Sequence, residues 1–303
     1  QQHKIHRLVW QSASVAAVFM IVLFSVLFTR ENRPPESSVV NDVPVAGKTQ
    51  AVLSLPDGRQ VALGNEKEQD TAWMKYVEAC TIESKATTEP ADIKIEVARG
   101  GEYKIRLEDG TTVWLNSESS LIYPEKFTGD KRAVRLSGEG YFEVARDEKK
   151  PFIVSVTDME IKVLGTKFNV TAYQDEKMTT TTLISGAVEV VTPHRSVQLQ
   201  PGKQAMVQEG GDDITVLEVD VELATSWTAG IFKFDKMALT DICTRLSRWY
   251  DIDFVFEGET GKEKFTGGTW KYVPLKDFLS KIERVTNVLF LFENNTVKVV
   301  PKK

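Results

Sequence analysis

Only one histidine lies beyond residue 6, and this limits the chemistry the chain can do. His194 stands in the string TPHRS, which reads as a turn. A Ser-His-acid triad would have to use it, yet no serine sits in a Gly-x-Ser-x-Gly elbow, so a solvated turn histidine is the simpler reading. Glu139 and Glu143 bracket an aromatic strand in GEGYFEV. A pair of carboxylates about 5–10 Å apart across a cleft is what glycoside hydrolysis requires. Charges on a strand's solvent face, or acceptors at a turn, explain this pair without a cleft. Three histidines and two cysteines, Cys80 and Cys243, are too few for a zinc module built on them. The two cysteines fall in different predicted regions, and the reading is that both are unpaired, with Cys243 packed on a helix as a small hydrophobe. No phosphate loop, GxGxxG string or EF-hand loop occurs. Asn169-Val170-Thr171 matches a glycosylation triplet inside a predicted strand, where such matches arise by chance. The expectation is a non-enzymatic chain with no catalytic residues, no cofactor and no metal.

The elements that position these residues follow a clear order. The 303 residues carry a net charge of −5, and 42% are hydrophobic against 27% charged. That balance excludes wholesale disorder and argues against a basic nucleic-acid binder. Twenty-one residues from Leu8 to Phe28, LVWQSASVAAVFMIVLFSVLF, contain no charge. A helix crossing a bilayer needs about twenty mostly apolar residues, whereas the apolar core of a signal peptide runs to roughly 7–15. The run therefore predicts a spanning helix. Lys4 and Arg7 precede it and Arg30 and Arg33 follow it, so basic residues alone do not orient it. The polar stretch 29–50 holds Pro34, Pro35 and Pro44 and reads as an extended linker.

From 51 to 220 the pattern is almost all strand. Period-two alternation recurs at Ile161-Lys162-Val163, Phe168-Asn169-Val170 and Val188-Glu189-Val190, with Gly110, Gly138, Gly165, Gly186 and Gly202 as punctuation. LPDGRQVALG (55–64) echoes LEDGTTVWLN (107–116). The prediction is a two-sheet β-sandwich or β-solenoid-like domain built from turn–strand units, with 67–92 as an insertion and a possible helix over 67–80.

Residues 221–303 read as a small α+β domain. Leu239, Ile242, Leu246 and Trp249 share one helical face over 237–250, with Asp235 as its candidate cap. Leu275, Phe278, Leu279 and Ile282 do the same over 274–286, with Pro274 in the first turn. The two halves align at an offset of about thirty-six residues, which predicts a duplicated βαβ unit with both helices on one sheet face. Phe265, Trp270 and Tyr272 are the candidate partner-binding residues. If their strand is an edge, a partner strand can add to it. The competing reading buries Trp270 under a helix, in keeping with its alignment to Phe234.

Several strings then carry a resemblance. DGTTVWLN, LSGEGYFEV and LGTKFNVTAY occur in order between Arg99 and Val207, and WTAGIFKFDKMALTDICTRLSRWY opens the last 75 or so residues. The first three together resemble the FecR family of membrane-anchored anti-sigma regulators of Gram-negative bacteria. The last resembles the small signalling domain of secretins and TonB-dependent transporters. The resemblance implies a single-pass protein of the inner membrane with residues after about 29 in the periplasm. It implies contact with the N-terminal signalling domain of an outer-membrane transporter, and an ECF-type sigma factor held by a cytoplasmic segment until regulated proteolysis. Only residues 1–7 precede the predicted helix, so the sigma-binding part is expected outside this sequence. The chain divides accordingly into a cytoplasmic remnant (1–7), transmembrane helix (8–28), linker (29–50), all-β domain (51–220) and α+β domain (221–303). Two other classes fit the composition. An exported glycan-binding or glycan-cleaving β-sandwich would show in a sugar titration, and a secretion-machine scaffold subunit would show as a ring-forming oligomer in light scattering.

Overall fold

The computed structural model describes residues 46–64 apart from 57, and 92–303 apart from 158. The predicted spanning run 8–28, most of the linker, Cys80 and all of the predicted insertion but Asp92 lie outside the described residues. Among those described, no helix is long and apolar enough to cross a membrane.

Among the described residues of 51–220 the predicted alternation does form strands. The first seven are β1 (Lys48–Thr49), β2 (Ala51–Ser54), β3 (Gln60–Leu63), β4 (Asp92–Val97), β5 (Gly101–Arg106), β6 (Thr112–Leu115) and β7 (Ser119–Pro124). A long β8 (Arg132–Glu143) follows, then β9 (Phe152–Ser155), β10 (Glu160–Val163), β11 (Lys167–Ala172) and β12 (Met178–Ser185). The last four are β13 (Val188–Val191), β14 (Ser196–Leu199), β15 (Lys203–Gln208) and β16 (Ile214–Glu218).

These strands make two sheets that share β8. One runs β3-β2-β4-β7-β8-β9-β10-β13-β14 and the other β1-β5-β6-β8-β11-β12-β15-β16. The first half of β8 pairs with β7 and β9; its second half pairs with β6 and β11. The crossing falls at Gly138, which has φ 93° and whose Cβ would lie 2.6 Å from the Cα of Ser119. Only glycine fits there. Both sheets feed one core, in which Leu53, Ile95, Leu121 and Val154 of one meet Val113, Phe142, Phe168 and Leu183 of the other. Phe142 stacks on Phe168 with ring centroids 5.0 Å apart.

The sequence echo is a structural repeat. β2–β3 and β5–β6 are antiparallel hairpins, and Gly58 and Gly110 both sit at φ 86°. Their turns close through matching bonds: Gly58 N to Leu55 O at 2.9 Å, and Gly110 N to Leu107 O at 3.0 Å.

A short helix, α1 (Val221–Thr225), and a 3-10 turn, Ser226–Ala229, lead into the C-terminal module. The module contains β17 (Ile231–Ala238), α2 (Leu239–Tyr250), β18 (Asp253–Phe256), β19 (Lys264–Trp270), α3 (Leu275–Val285), β20 (Val288–Glu293) and β21 (Thr296–Pro301). Strand–helix–strand order does occur twice, but the expected single sheet is in fact two. β17 pairs with β19, while β18 and β20 flank β21. In neither half do the two strands around the helix share a sheet. One core joins Phe232, Phe234 and Phe265 to Leu246, Trp249, Phe278, Ile282, Val297 and Val299. Asp235 does not cap α2: it lies in β17 and accepts from Thr266 Oγ1 at 3.2 Å, and Ala238 occupies the cap position without a side-chain bond. Pro274 likewise stands at the cap of α3, one place before its first turn.

Candidate partner interface

The chemistry-bearing residues of the sandwich are tied to each other. Glu139 accepts from Asn116 Nδ2 at 2.8 Å, Asn169 Nδ2 at 3.0 Å and Thr171 Oγ1 at 3.3 Å. Glu143 is held by Lys167 Nζ at 2.8 Å. Both carboxylates serve as acceptors on the outer side of β8, the role that needs no cleft. His194 is 78% exposed at its turn, and its backbone N–H donates to Asp212 Oδ1 at 3.2 Å. Cys243 is a free, buried thiol on α2, and burial pushes its pKa well above the usual thiol range. It packs as a core residue and is not a nucleophile. No cluster of metal-binding side chains occurs among the described residues.

The densest polar construction lies where sandwich and module meet. It begins with the alternation of β19, continued by the two residues after it, which turns Thr269 and Lys271 inward and Trp270 and Tyr272 outward. Lys271 is fully buried. Its Nζ donates to Glu102 Oε2 of β5 at 2.7 Å and stands 3.8 Å from the centroid of the Trp249 ring, with Trp227 and Phe232 beyond. Burial lowers the lysine's pKa, and the charge and hydrogen bond of Glu102 oppose that shift. The other oxygen of Glu102 accepts from the Tyr272 hydroxyl at 2.8 Å. Trp249 donates its indole N–H to Lys271 O at 2.7 Å and meets the Tyr272 ring edge-on at 5.7 Å.

Two arginines complete the seam. Arg248 of α2 is buried, lies 3.6 Å over the Tyr173 ring, and reaches Asp175 Oδ1 at 2.6 Å as well as Glu176. Arg99 of the sandwich donates to Ser247 O at 3.0 Å and Ile252 O at 2.8 Å. It thus caps the C-terminal end of α2, where a cation is favoured by the helix dipole. Trp227 adds an indole bond to Asn169 Oδ1 at 3.2 Å. A cavity of about 50 Å³ remains among Asn116, Glu139, Trp227, Arg245 and Arg248. That is room for a few water molecules and not for an organic ligand.

The three predicted partner residues separate on this frame. Phe265 is 8% exposed and packs with Phe234 and Phe278, so it belongs to the module's core and not to its surface. Trp270 is 62% exposed and Tyr272 55%. Tyr272 is held from behind by Trp249 and Glu102 at the outer rim of the seam, and Trp270 stands two residues before it at the end of β19. The competing reading, burial of Trp270 under a helix, does not hold. Sequence reasoning missed Glu102, Lys271, Arg248 and Arg99. The one signal on offer was a lysine between two aromatics at the end of a strand, with the parity that points it inward.

The FecR protein family model matches residues 93–189, and the FecR C-terminal model matches residues 231–299. Two crystal structures of a candidate anti-sigma factor from Parabacteroides distasonis share 30% sequence identity with this chain at a TM-score of 0.65. The aligned part covers 69% of this chain and 99% of the other in one structure, and 70% and 100% in the second. This chain belongs to the FecR family. No curated protein matches it. As a FecR-family chain it falls among regulatory proteins, and together with the neighbouring structure this supports a signalling role of the anti-sigma kind. The two matched regions of the FecR chain fall within the β-sandwich and the C-terminal module, which form one compact unit joined by the seam.

Proposed function

We propose that this FecR-family chain is a membrane-anchored anti-sigma regulator. In this reading residues 8–28 cross the inner membrane and the sandwich and module work in the periplasm. The module receives the N-terminal signalling domain of an outer-membrane transporter. A segment on the cytoplasmic side holds an ECF-type sigma factor, and regulated proteolysis in the stretch 29–50 releases it. The observation that carries the reading is the exposed pair Trp270 and Tyr272, of which Tyr272 is backed by Glu102 and Trp249 of the seam. Aromatic side chains fixed from behind lose little entropy on docking, which is the character of binding hot spots.

Calorimetric titration of the full chain with the transporter's signalling domain tests it. Trp270→Ala should weaken binding at least tenfold and remove ligand-induced transcription. Unchanged affinity in a folded Trp270→Ala chain would overturn the assignment of this surface. Replacing the linker by a protease-resistant sequence should leave transcription uninduced by ligand.

A further inference from the structure

The chain reaches the sandwich through residues 46–50, and these are held differently from everything after them. Ala46 packs against the core of the module. Gly47 is buried flat on Trp249: a Cβ there would lie 2.6–2.8 Å from three atoms of the indole ring. Beyond it, β1 adds to the edge of β5 as a parallel strand. Beyond that two-residue ladder it is held by Lys48 N to Gly100 O at 3.0 Å, Gln50 N to Glu102 O at 3.0 Å, and Gln50 Nε2 to Gly100 O at 3.4 Å. At Gln50 the chain changes sheets. Ala51 is buried, and β2 is paired on both sides, with β3 and with β4.

The geometry points to residues 46–50 as a releasable latch that peels back as far as Ala51 and, once peeled, presents a cleavable extended segment. Its two clamps come from different parts of the molecule, β5 from the sandwich and Trp249 from the module. A two-residue edge strand paired on one side opens locally at little cost, while β2, paired on both sides, opens only with the sandwich core. Peeling frees five residues, about 17 Å of extended chain. A protease takes its substrate as an extended strand with free backbone groups, which the seated latch does not offer. Gly47 is the residue the fit depends on, since any side chain there collides with Trp249.

Trp249 also ties the latch to the outer surface. Its ring covers Gly47, its indole N–H binds Lys271 O, and its ring edge meets Tyr272. A ligand that shifts Tyr272 therefore acts one side chain away from the latch. By reciprocity, a partner that favours the peeled state binds more tightly when the latch is already open. The role of the latch as a signal output rests on the receptor reading above; its existence as a local opening does not.

Hydrogen exchange on the unmodified full chain tests the opening directly. The amides of Lys48 and Gln50 should exchange at least a hundredfold faster than that of Leu53, whose strand is locked on both sides. Equal protection at the three positions would overturn the latch. Trypsin supplies the second measurement, because cleavage after Lys48 leaves a fragment beginning at Thr49. Gly47→Val should raise the rate of that cut at least tenfold while Leu53 keeps its protection. An unchanged rate in a folded Gly47→Val chain would also overturn the proposal. If Gly47→Val unfolds the sandwich, the exchange comparison on the unmodified chain decides alone. Trp270→Ala should leave both rates as they are. Failure of the receptor surface and failure of the latch are thus read separately.

Discussion

The sandwich and the C-terminal module bury their interiors with equal thoroughness and differ at their surfaces. Phe142, Phe168 and Val113 in the sandwich and Leu239, Phe278 and Val297 in the module are all fully enclosed. Outside, seven of the eleven exposed large hydrophobics among the described residues belong to the module, though it is much the smaller part. They include Trp270 and Tyr272 at the seam, and Val255, Leu289 and Leu291 on the free face of the β18-β21-β20 sheet. The sandwich instead shows side chains that satisfy one another, as Glu139 does with Asn116, Asn169 and Thr171. Apolar surface concentrated on one part of a molecule marks where a protein partner goes. On the function proposed above, this contrast makes the sandwich the platform and the module the reader.

The largest effect should come from the platform. Phe142→Ala removes a ring enclosed by Phe152 and Phe168, and such deletions cost about 3–5 kcal/mol. Denaturant unfolding should show that loss, while the folded fraction keeps its affinity for the partner. Loss of affinity in the folded fraction would break the division between platform and reader. Next comes the seam. Lys271→Met strips Glu102 of its ion-pair partner and should cost about 3 kcal/mol, because a desolvated charge left unpaired is penalised. Adding Glu102→Gln removes that charge, and methionine suits the surroundings of Trp227, Phe232 and Trp249, so the double variant should return to within about 1 kcal/mol of the unmodified chain. A double variant as weak as the single one would show that the ion pair itself holds the two parts together. Trp270→Ala reverses the pattern, with less than about 0.5 kcal/mol of stability lost against a tenfold loss of binding.

These contrasts also show what the residues disclosed in advance. Strand alternation and the echo between 55–64 and 107–116 were legible because hairpins are local: the turn glycine and its flanking strands sit within ten residues. The helix faces were legible for the same reason, and Leu275–Val285 matches its prediction within a residue at each end. The sharing of β8 between sheets was not, since it depends on Ser119 lying against Gly138 from another strand. The alignment of Trp270 with Phe234 failed for a specific cause. β17 carries a bulge between Phe234 and Met237, with Lys236 at φ 47°. One inserted residue reverses the parity of a strand. The offset that matches the helices therefore sets an inward Phe234 against an outward Trp270. The seam was illegible because Lys271 and Glu102 are 169 residues apart and neither has a local signature.

The smallest expected effect is the most specific to the seam. Burial, reinforced by the hydrogen bond to the Glu102 carboxylate, pushes the Tyr272 phenol up to about 12 from an ordinary value of 10.0. Between those values the unfolded chain has released this proton and the folded chain still holds it. Folding is then linked to proton uptake, so the tyrosine's contribution is complete below pH 10 and is lost as pH rises toward 12. Tyr272→Phe removes that titration and should make the alkaline fall in stability shallower over this interval. Glu102→Gln should lower the phenol's value, because the carboxylate that opposes its ionisation is gone. Ultraviolet titration of the phenolate, with Tyr272→Phe as the blank, reads both. A Tyr272 phenol that ionises at its ordinary value in the folded chain would mean that the ring does not rest on Glu102. The outer aromatic surface would then be uncoupled from the seam behind it.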